Sequence, residues 1–171
     1  METGKEVYAL TKINVNNLLK KAMDQVASVG VKHGKINPEV IINTRAKKRF
    51  GQCKKVPYSE YDYEVQINAK LLEVEESKIM NTLVHEVLHT CKGCMNHGRL
   101  WKNYANIMNN KFNYDISRTS TYEKIGIERP EVNYTIECQK CGNKFYRQNR
   151  SKIVTQTDKY RCACGGKLKL I

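Results

Sequence analysis

The residues best suited to chemistry lie in one short stretch. His85-Glu86-Val87-Leu88-His89 reads H-E-x-x-H, and His97 follows after a short loop that contains Gly93. On a helix, positions four apart fall on one face, one turn apart, so His85 and His89 can reach a single metal ion. His97 supplies a third imidazole. Three neutral imidazoles hold Zn²⁺ and leave its fourth position for water, and Glu86 beside them can take the proton of that water. This is the donor set of a hydrolytic zinc site. The chain has four histidines, and three of them fall between positions 85 and 97.

Two helices must position this set. Ile79, Met80, Leu83, Val84, Val87 and Leu88 recur at helical spacing, which predicts a buried helix starting near Glu75 or Ser77 and stopped by Gly93. Glu73, Glu75 and Glu76 suit its N-terminal dipole and Lys92 its C-terminal one. A second helix is expected from about His97 to Asn110, with Leu100, Trp101, Tyr104, Ala105, Ile107 and Met108 on its apolar face. His97 then sits in its first turn. The lone Trp101 reads as a core residue. Tyr104 and Tyr122 are the candidate oxyanion donors. Cys91 and Cys94, between the ligands, form a C-x-x-C that could bind metal or cycle redox. The preferred reading is two loop thiols packed near the site.

Upstream, Leu18, Leu19, Ala22, Met23, Val26 and Val29 predict a packing helix over 14–29, capped by Asn14 or Asn16 and ended by Gly30. His33 reads as a surface residue. Three strands follow: one begins at Val40-Ile41-Ile42, one spans Arg49–Lys54 and one spans Tyr63–Asn68. In the last, Tyr63, Val65 and Ile67 alternate with Glu64, Gln66 and Asn68. Short connections suggest an antiparallel meander. The basic turn Arg45-Ala46-Lys47-Lys48-Arg49 fits either a phosphate contact or a solvated turn. Cys53 reads as a half-buried strand residue. Residues 111–133 read as a polar connecting segment.

A second cluster closes the chain. Cys138-Gln139-Lys140-Cys141-Gly142 and Cys162-Ala163-Cys164-Gly165-Gly166 are two cysteine knuckles, which together make a four-thiolate site. Its second pair is C-x-C, not the usual C-x-x-C. So short a segment builds little core, and a structural zinc is physically needed. Residues 134–171 also hold nine Lys and Arg against two acidic residues, within a chain of net charge +13. Such basicity suggests a nucleic-acid partner. Lys144, Arg147, Arg150, Lys152 and Arg161, mixed with Phe145, Tyr146 and Tyr160, are the candidate contacts, although the aromatics serve equally as the ribbon's core. No apolar run is long enough to span a membrane, and no secretory signal opens the chain. Seven cysteines in a cytoplasmic protein point to metal ligands before disulfides.

A helix, a small sheet, H-E-x-x-H, then His97-Gly98-Arg99-Leu100-Trp101, then a basic ribbon ending Tyr160-Arg161-Cys162-Ala163-Cys164-Gly165-Gly166-Lys167-Leu168: this order resembles the SprT-like family over about residues 12–170. The resemblance implies zinc ligation by His85, His89 and His97, Glu86 as catalytic base, and Cys138, Cys141, Cys162 and Cys164 as ribbon ligands. It also implies a DNA-associated zinc metallopeptidase acting on protein substrates, among them proteins crosslinked to DNA, so DNA is favoured over RNA. The short, cysteine-bearing loop from His89 to His97 departs from the family pattern. The expected fold is α+β: a minimal zincin-like domain of helices on a small, mainly antiparallel three-stranded sheet (residues 1–133), followed by a β zinc ribbon (residues 134–171). One catalytic and one structural Zn²⁺ are expected, in a cytoplasmic protein without membrane association. Two other functions fit the residues: a non-catalytic, zinc-stabilised nucleic-acid-binding protein, and a regulatory peptidase that cuts one repressor.

Overall fold

The computed structural model describes residues 4–46, 49–128 and 132–171. Lys47 and Lys48 of the basic turn, and Pro130 of the connecting segment, lie outside the described residues. The chain divides into two compact units, Met1–Ile127 and Glu128–Ile171.

In the first unit, α1 (Gly4–Ser28) starts ten residues earlier than its apolar stripe predicts. No glycine or proline interrupts Lys5–Ser28, and extending an established helix costs little. Val15, Leu18, Leu19, Ala22 and Val26 are its buried face. Asn16 lies inside the helix instead of capping it, and its Oδ1 accepts a hydrogen bond from Val40 N at 2.9 Å. Gly30, at φ 76°, takes the left-handed conformation that closes the helix.

The strands β1 (Ile41–Asn43), β2 (Gly51–Lys55) and β3 (Tyr63–Asn68) form a sheet of order β1-β3-β2. This corrects the meander. β2 and β3 are an antiparallel pair, but β1 lies parallel to β3, with Ile42 opposite Ile67. β3 is therefore central and β2 is an edge. Its alternation is also incomplete as a guide to burial. Val65 and Ile67 are buried as expected, but so are Gln66 and Asn68 on the opposite face. Asn68 explains why a polar residue is buried there. Its Nδ2 donates to Ala46 O (2.8 Å) and Arg49 O (3.2 Å), and its Oδ1 accepts from Lys70 N (3.0 Å). Every one of those bonds fixes the chain entering or leaving the sheet, so the amide is satisfied and the loop before β2 is held.

A 3₁₀ turn (Ala69–Glu73) leads to α2 (Glu76–His89), which packs against α1, β2, β3 and α3 (Arg99–Phe112). Being covered on several sides, α2 buries its polar residues Thr82, Glu86 and His89 along with its apolar stripe. α3 buries Trp101, Ala105 and Met108. Trimming a fully buried side chain such as Leu83 or Leu88 to alanine costs about 2–5 kcal/mol. A one-turn helix, α4 (Tyr122–Ile125), follows.

In the second unit, β4 (Tyr134–Cys138) is flanked by β5 (Lys144–Arg147) and β6 (Leu168–Leu170), both antiparallel to it. A short helix α5 (Lys152–Thr155) lies between β5 and β6. The buried core of this unit is Ile136, Cys138, Val154, Cys162 and Leu168, so two of its five members are candidate metal ligands. Among the described residues, no helix is long and apolar enough to cross a membrane.

Candidate metal centres

His85 and His89 project from one face of α2, as the helical spacing predicts. His97 does not lie in the first turn of α3, as expected. It lies in the loop before the N-cap, Gly98, where Asn96 Oδ1 accepts from Gly98 N at 3.0 Å and folds the chain back. The three Nε2 atoms form a triangle with edges of 3.2 Å (His85–His89), 3.1 Å (His89–His97) and 3.0 Å (His85–His97). Each nitrogen is thus about 1.8 Å from the triangle's centre, inside the usual Zn–N distance, so all three can bond one ion. No fourth His, Cys, Asp or Glu ligand atom joins the group among the described residues. His33 stands apart, with its Nδ1 2.8 Å from Gly34 O.

Chemistry, as well as distance, argues for a cation here. His89 Nδ1 donates to Cys94 O at 2.8 Å, which leaves its Nε2 as a bare lone pair aimed at the other two rings. His85 makes a backbone hydrogen bond to Ser117. Outer hydrogen bonds of this kind fix the tautomer and aim of a metal-binding histidine. Burial, then the neighbouring His89 and His97, push the His85 pKa down to about 3. His89 and His97 are also lowered, chiefly by burial. All three shifts favour the neutral ring, the state that binds metal. Trp101 forms a shelf beneath them, with ring centroids 4.7, 5.6 and 4.5 Å from those of His85, His89 and His97. It is a core residue, as expected, and the core it belongs to is the support of the triad.

Glu86 lies beside the triangle and is only 5 % exposed. Burial raises its pKa to about 8, against the opposing effects of a backbone hydrogen bond at Cys53 and the charge of Arg49. Gly51 makes this position possible. A Cβ there would run into the Glu86 carboxylate and come within 2.8 Å of Thr82 Cγ2. Glycine inside a strand marks such a close approach, and that signal was present in Phe50-Gly51-Gln52.

A cleft of about 420 Å³ opens over the triad, walled by β2, α2, Met95 and residues 115–120. The last wall comes from the segment expected only to connect. It is firmly placed. Ile116 N donates to Asn109 Oδ1 (2.8 Å), Asn109 Nδ2 donates to Ile116 O (3.0 Å), and Asp115 N donates to Asn81 Oδ1 (3.0 Å). Ser117 and Arg118 are therefore site residues that the sequence reading missed. Tyr104 and Tyr122 are not among the residues lining the cleft. Tyr104 packs against the core, and the Tyr122 ring meets Phe50 edge-on at 5.1 Å. Cys91 and Cys94 are buried thiols outside the ligand group, and burial pushes Cys91 up to about 12. What their loop gives the site is the Cys94 carbonyl.

In the second unit, Cys138, Cys141, Cys162 and Cys164 converge, with Cys138 Sγ 3.5 Å from Cys164 Sγ and Cys141 Sγ 3.7 Å from Cys162 Sγ. A zinc with four sulfurs at about 2.3 Å has S···S edges of about 3.8 Å, so the spacing suits it. The C-x-C pair fits because Gly166 lies against the sulfurs. A Cβ there would strike Cys138 Sγ and come 3.3 Å from Cys164 Sγ. Gly142 (φ 69°) and Gly165 (φ 79°) make the two knuckle turns. Lys140 N donates to Cys138 Sγ at 3.4 Å.

The candidate nucleic-acid residues of this unit divide. Register places Lys144 and Lys169 across from Glu137 on one face, with Tyr146 beside Thr135 on the same face. Lys144, Tyr146, Arg150 and Lys152 are exposed. Arg147 is half-buried and donates to Tyr146 O, and Arg161 donates to Asp158 O (2.6 Å) and Tyr160 O (2.8 Å). Phe145 packs on the small core. Lys169 was not among the expected contacts, because cross-strand register is not readable from the sequence.

A histidine triad with a buried carboxylate on a helix, over a small mixed sheet, is a donor set compatible with zinc. The model of the SprT-like family matches residues 16–123, which contain the whole triad and Glu86 and end before the four clustered cysteines of the second unit. The chain belongs to the SprT-like family. It is 28 % identical over 116 residues to Protein SprT-like of Lactiplantibacillus plantarum, covering 67 % of this chain and 74 % of that one. It is also 30 % identical over 111 residues to Germ cell nuclear acidic protein of Drosophila melanogaster, covering 62 % of this chain. The matched part spans 10 % of the length of the Drosophila protein. No solved structure matches the chain.

Proposed function

We propose that this protein is a zinc-dependent metalloendopeptidase with a minimal zincin-like arrangement, acting on proteins on or near nucleic acid, DNA in preference to RNA. The observation that carries this reading is a site of three converging histidine nitrogens, with no fourth His, Cys, Asp or Glu ligand among the described residues, beside a buried carboxylate. His85, His89 and His97 hold the catalytic Zn²⁺. Cys138, Cys141, Cys162 and Cys164 hold a structural one. The peptidase and ribbon domains correspond to residues 1–133 and 134–171, in a protein of the cytoplasm.

His85, His89 and His97 would hold the zinc, which would supply an acidified water and a Lewis acid for the scissile carbonyl. The rest falls to the chain. Glu86, held against Gly51 and ionised once the charge of a bound metal offsets its burial, takes the proton of the attacking water on a carboxylate oxygen and passes it to the leaving amine. Cys94 O and the Ser117 backbone keep the ligand rings aimed. The open edge of β2, with Gly51, Gln52 and Cys53 on the cleft, takes an extended substrate by strand addition. On the second unit, the exposed face bearing Lys144, Tyr146 and Lys169 holds nucleic acid, with Arg150 and Lys152 as further phosphate contacts.

The test is incubation with a DNA-bound protein substrate, with and without DNA and with and without chelator. Cleavage that requires both metal and DNA is the expected result. Metal-dependent cleavage indifferent to DNA keeps the peptidase and removes the nucleic-acid partner. Cleavage unaffected by chelator contradicts the zinc mechanism.

A further inference from the structure

Hydrolysis alone does not account for the charge of the cleft. Arg49, just before β2, and Arg118, in the 115–120 wall, both line it. Its lining carboxylates are Glu86 and Asp115, and Asp115 is committed to Lys124 at 2.9 Å. Glu86 is buried against β2. Neither guanidinium has a carboxylate within ion-pair distance among the described residues. Both are exposed. The positive charge of Arg49 acts on Glu86, and those of Arg118 and Lys102 act on His97, so cations approach the triad from separate elements. Bound metal adds to that field. The segment that carries Arg118 is anchored two and three residues earlier by the hydrogen bonds of Ile116 and Asp115.

We propose that the cleft selects polypeptide segments carrying acidic side chains beside the bond to be cut, with Arg118 and Arg49 as the specificity-determining residues. A guanidinium donates two parallel N–H bonds to a carboxylate, a pairing that neutral and basic side chains cannot offer it. A cleft of about 420 Å³ suits a few residues of an extended chain. The exposed Met95 adds an apolar wall for a neighbouring residue. This preference rests on the peptidase reading, because it assumes that a polypeptide occupies the cleft.

The test separates binding from turnover. Short Ala- and Ser-based peptides with a central pair of Glu, Gln or Lys are titrated against the zinc-loaded Glu86→Gln protein, and their cleavage by the unaltered protein is followed in parallel. The Glu peptide is expected to bind about fivefold tighter than the Gln peptide per arginine engaged, less so at high salt. Arg118→Gln reduces the preference, Arg118→Glu reverses it toward Lys, and Arg118→Lys, which keeps the charge but not the fork, weakens it less than Arg118→Gln does. Arg49→Gln gives a further, separate reduction. Equal or undetectable binding of all three peptides, or a preference unchanged by Arg118→Glu, overturns the proposal. Charge-selective binding without any cleavage counts against the peptidase reading alone, and cleavage without charge selection counts against this inference alone.

Discussion

The two ligand clusters solve opposite problems. The histidine triad belongs to a unit with a large apolar core, in which Leu83, Val84, Val87 and Leu88 are fully buried around it. That core, the Trp101 shelf and two backbone hydrogen-bond partners aim the rings before any ion arrives. The cysteine cluster belongs to a unit whose buried non-ligand side chains are Ile136, Val154 and Leu168. It offers four sulfurs, whereas the histidine site offers three nitrogens and, among the described residues, no fourth ligand of this kind. Where the fold is self-sufficient, a metal would be free to do chemistry. Where it is not, a metal would take the place of the core.

The largest effect expected from this contrast is on stability. Chelation should unfold the second unit and leave the first folded. Structural zinc contributes about 10–16 kcal/mol in small zinc modules, more than three buried side chains at about 1.5–3 kcal/mol each. Hydrogen exchange on the full chain should show lost amide protection in Tyr134–Cys138 and Leu168–Leu170, with α2 still protected. Equal loss in both units would erase the distinction. Cys138→Ser sharpens the same point. It should cost one equivalent of bound metal and the fold of the ribbon, and metal analysis should still find the ion of the cleft.

A smaller effect probes how the open site is held. Gly51→Ala places a methyl group against Glu86 and Thr82. It should slow hydrolysis about 10–100-fold, the range for residues that position a metal site from outside, with metal content unchanged. An unaltered rate would mean that the close approach of β2 to α2 does not matter. The smallest effect is expected at Cys94. Its carbonyl, not its thiol, serves His89, so Cys94→Ala should leave metal affinity unchanged and cost about 1 kcal/mol for the lost buried group. Metal titration together with a denaturant midpoint checks both halves.

What was legible in the sequence was local. His85, Glu86 and His89 lie within one helical repeat, and the cysteine pairs lie within single turns, so spacing alone brought them together. The strand spans of β2 and β3 were readable for the same reason. The parallel pairing of β1 with β3 was not, because short connections favour a meander and nothing local overrules that preference. Asn68, Ser117 and Arg118 act through partners far away in the chain, and a polar residue seen alone reads as exposed. Gly51 was readable in principle, as a glycine inside a strand. Cys91 and Cys94 drew attention through their thiols, while the functional atom was a carbonyl, which every residue carries.

The central claim is that the histidine site is hydrolytic because Glu86 stands beside an open metal position. Its most direct measurement compares cleavage of one DNA-bound protein substrate by the unaltered protein and by Glu86→Gln, at matched zinc content. The account predicts that both proteins carry the same zinc and that cleavage falls by about 10²–10⁴-fold in the variant, the contribution expected of a general base. Undiminished cleavage by a zinc-loaded Glu86→Gln protein would contradict it.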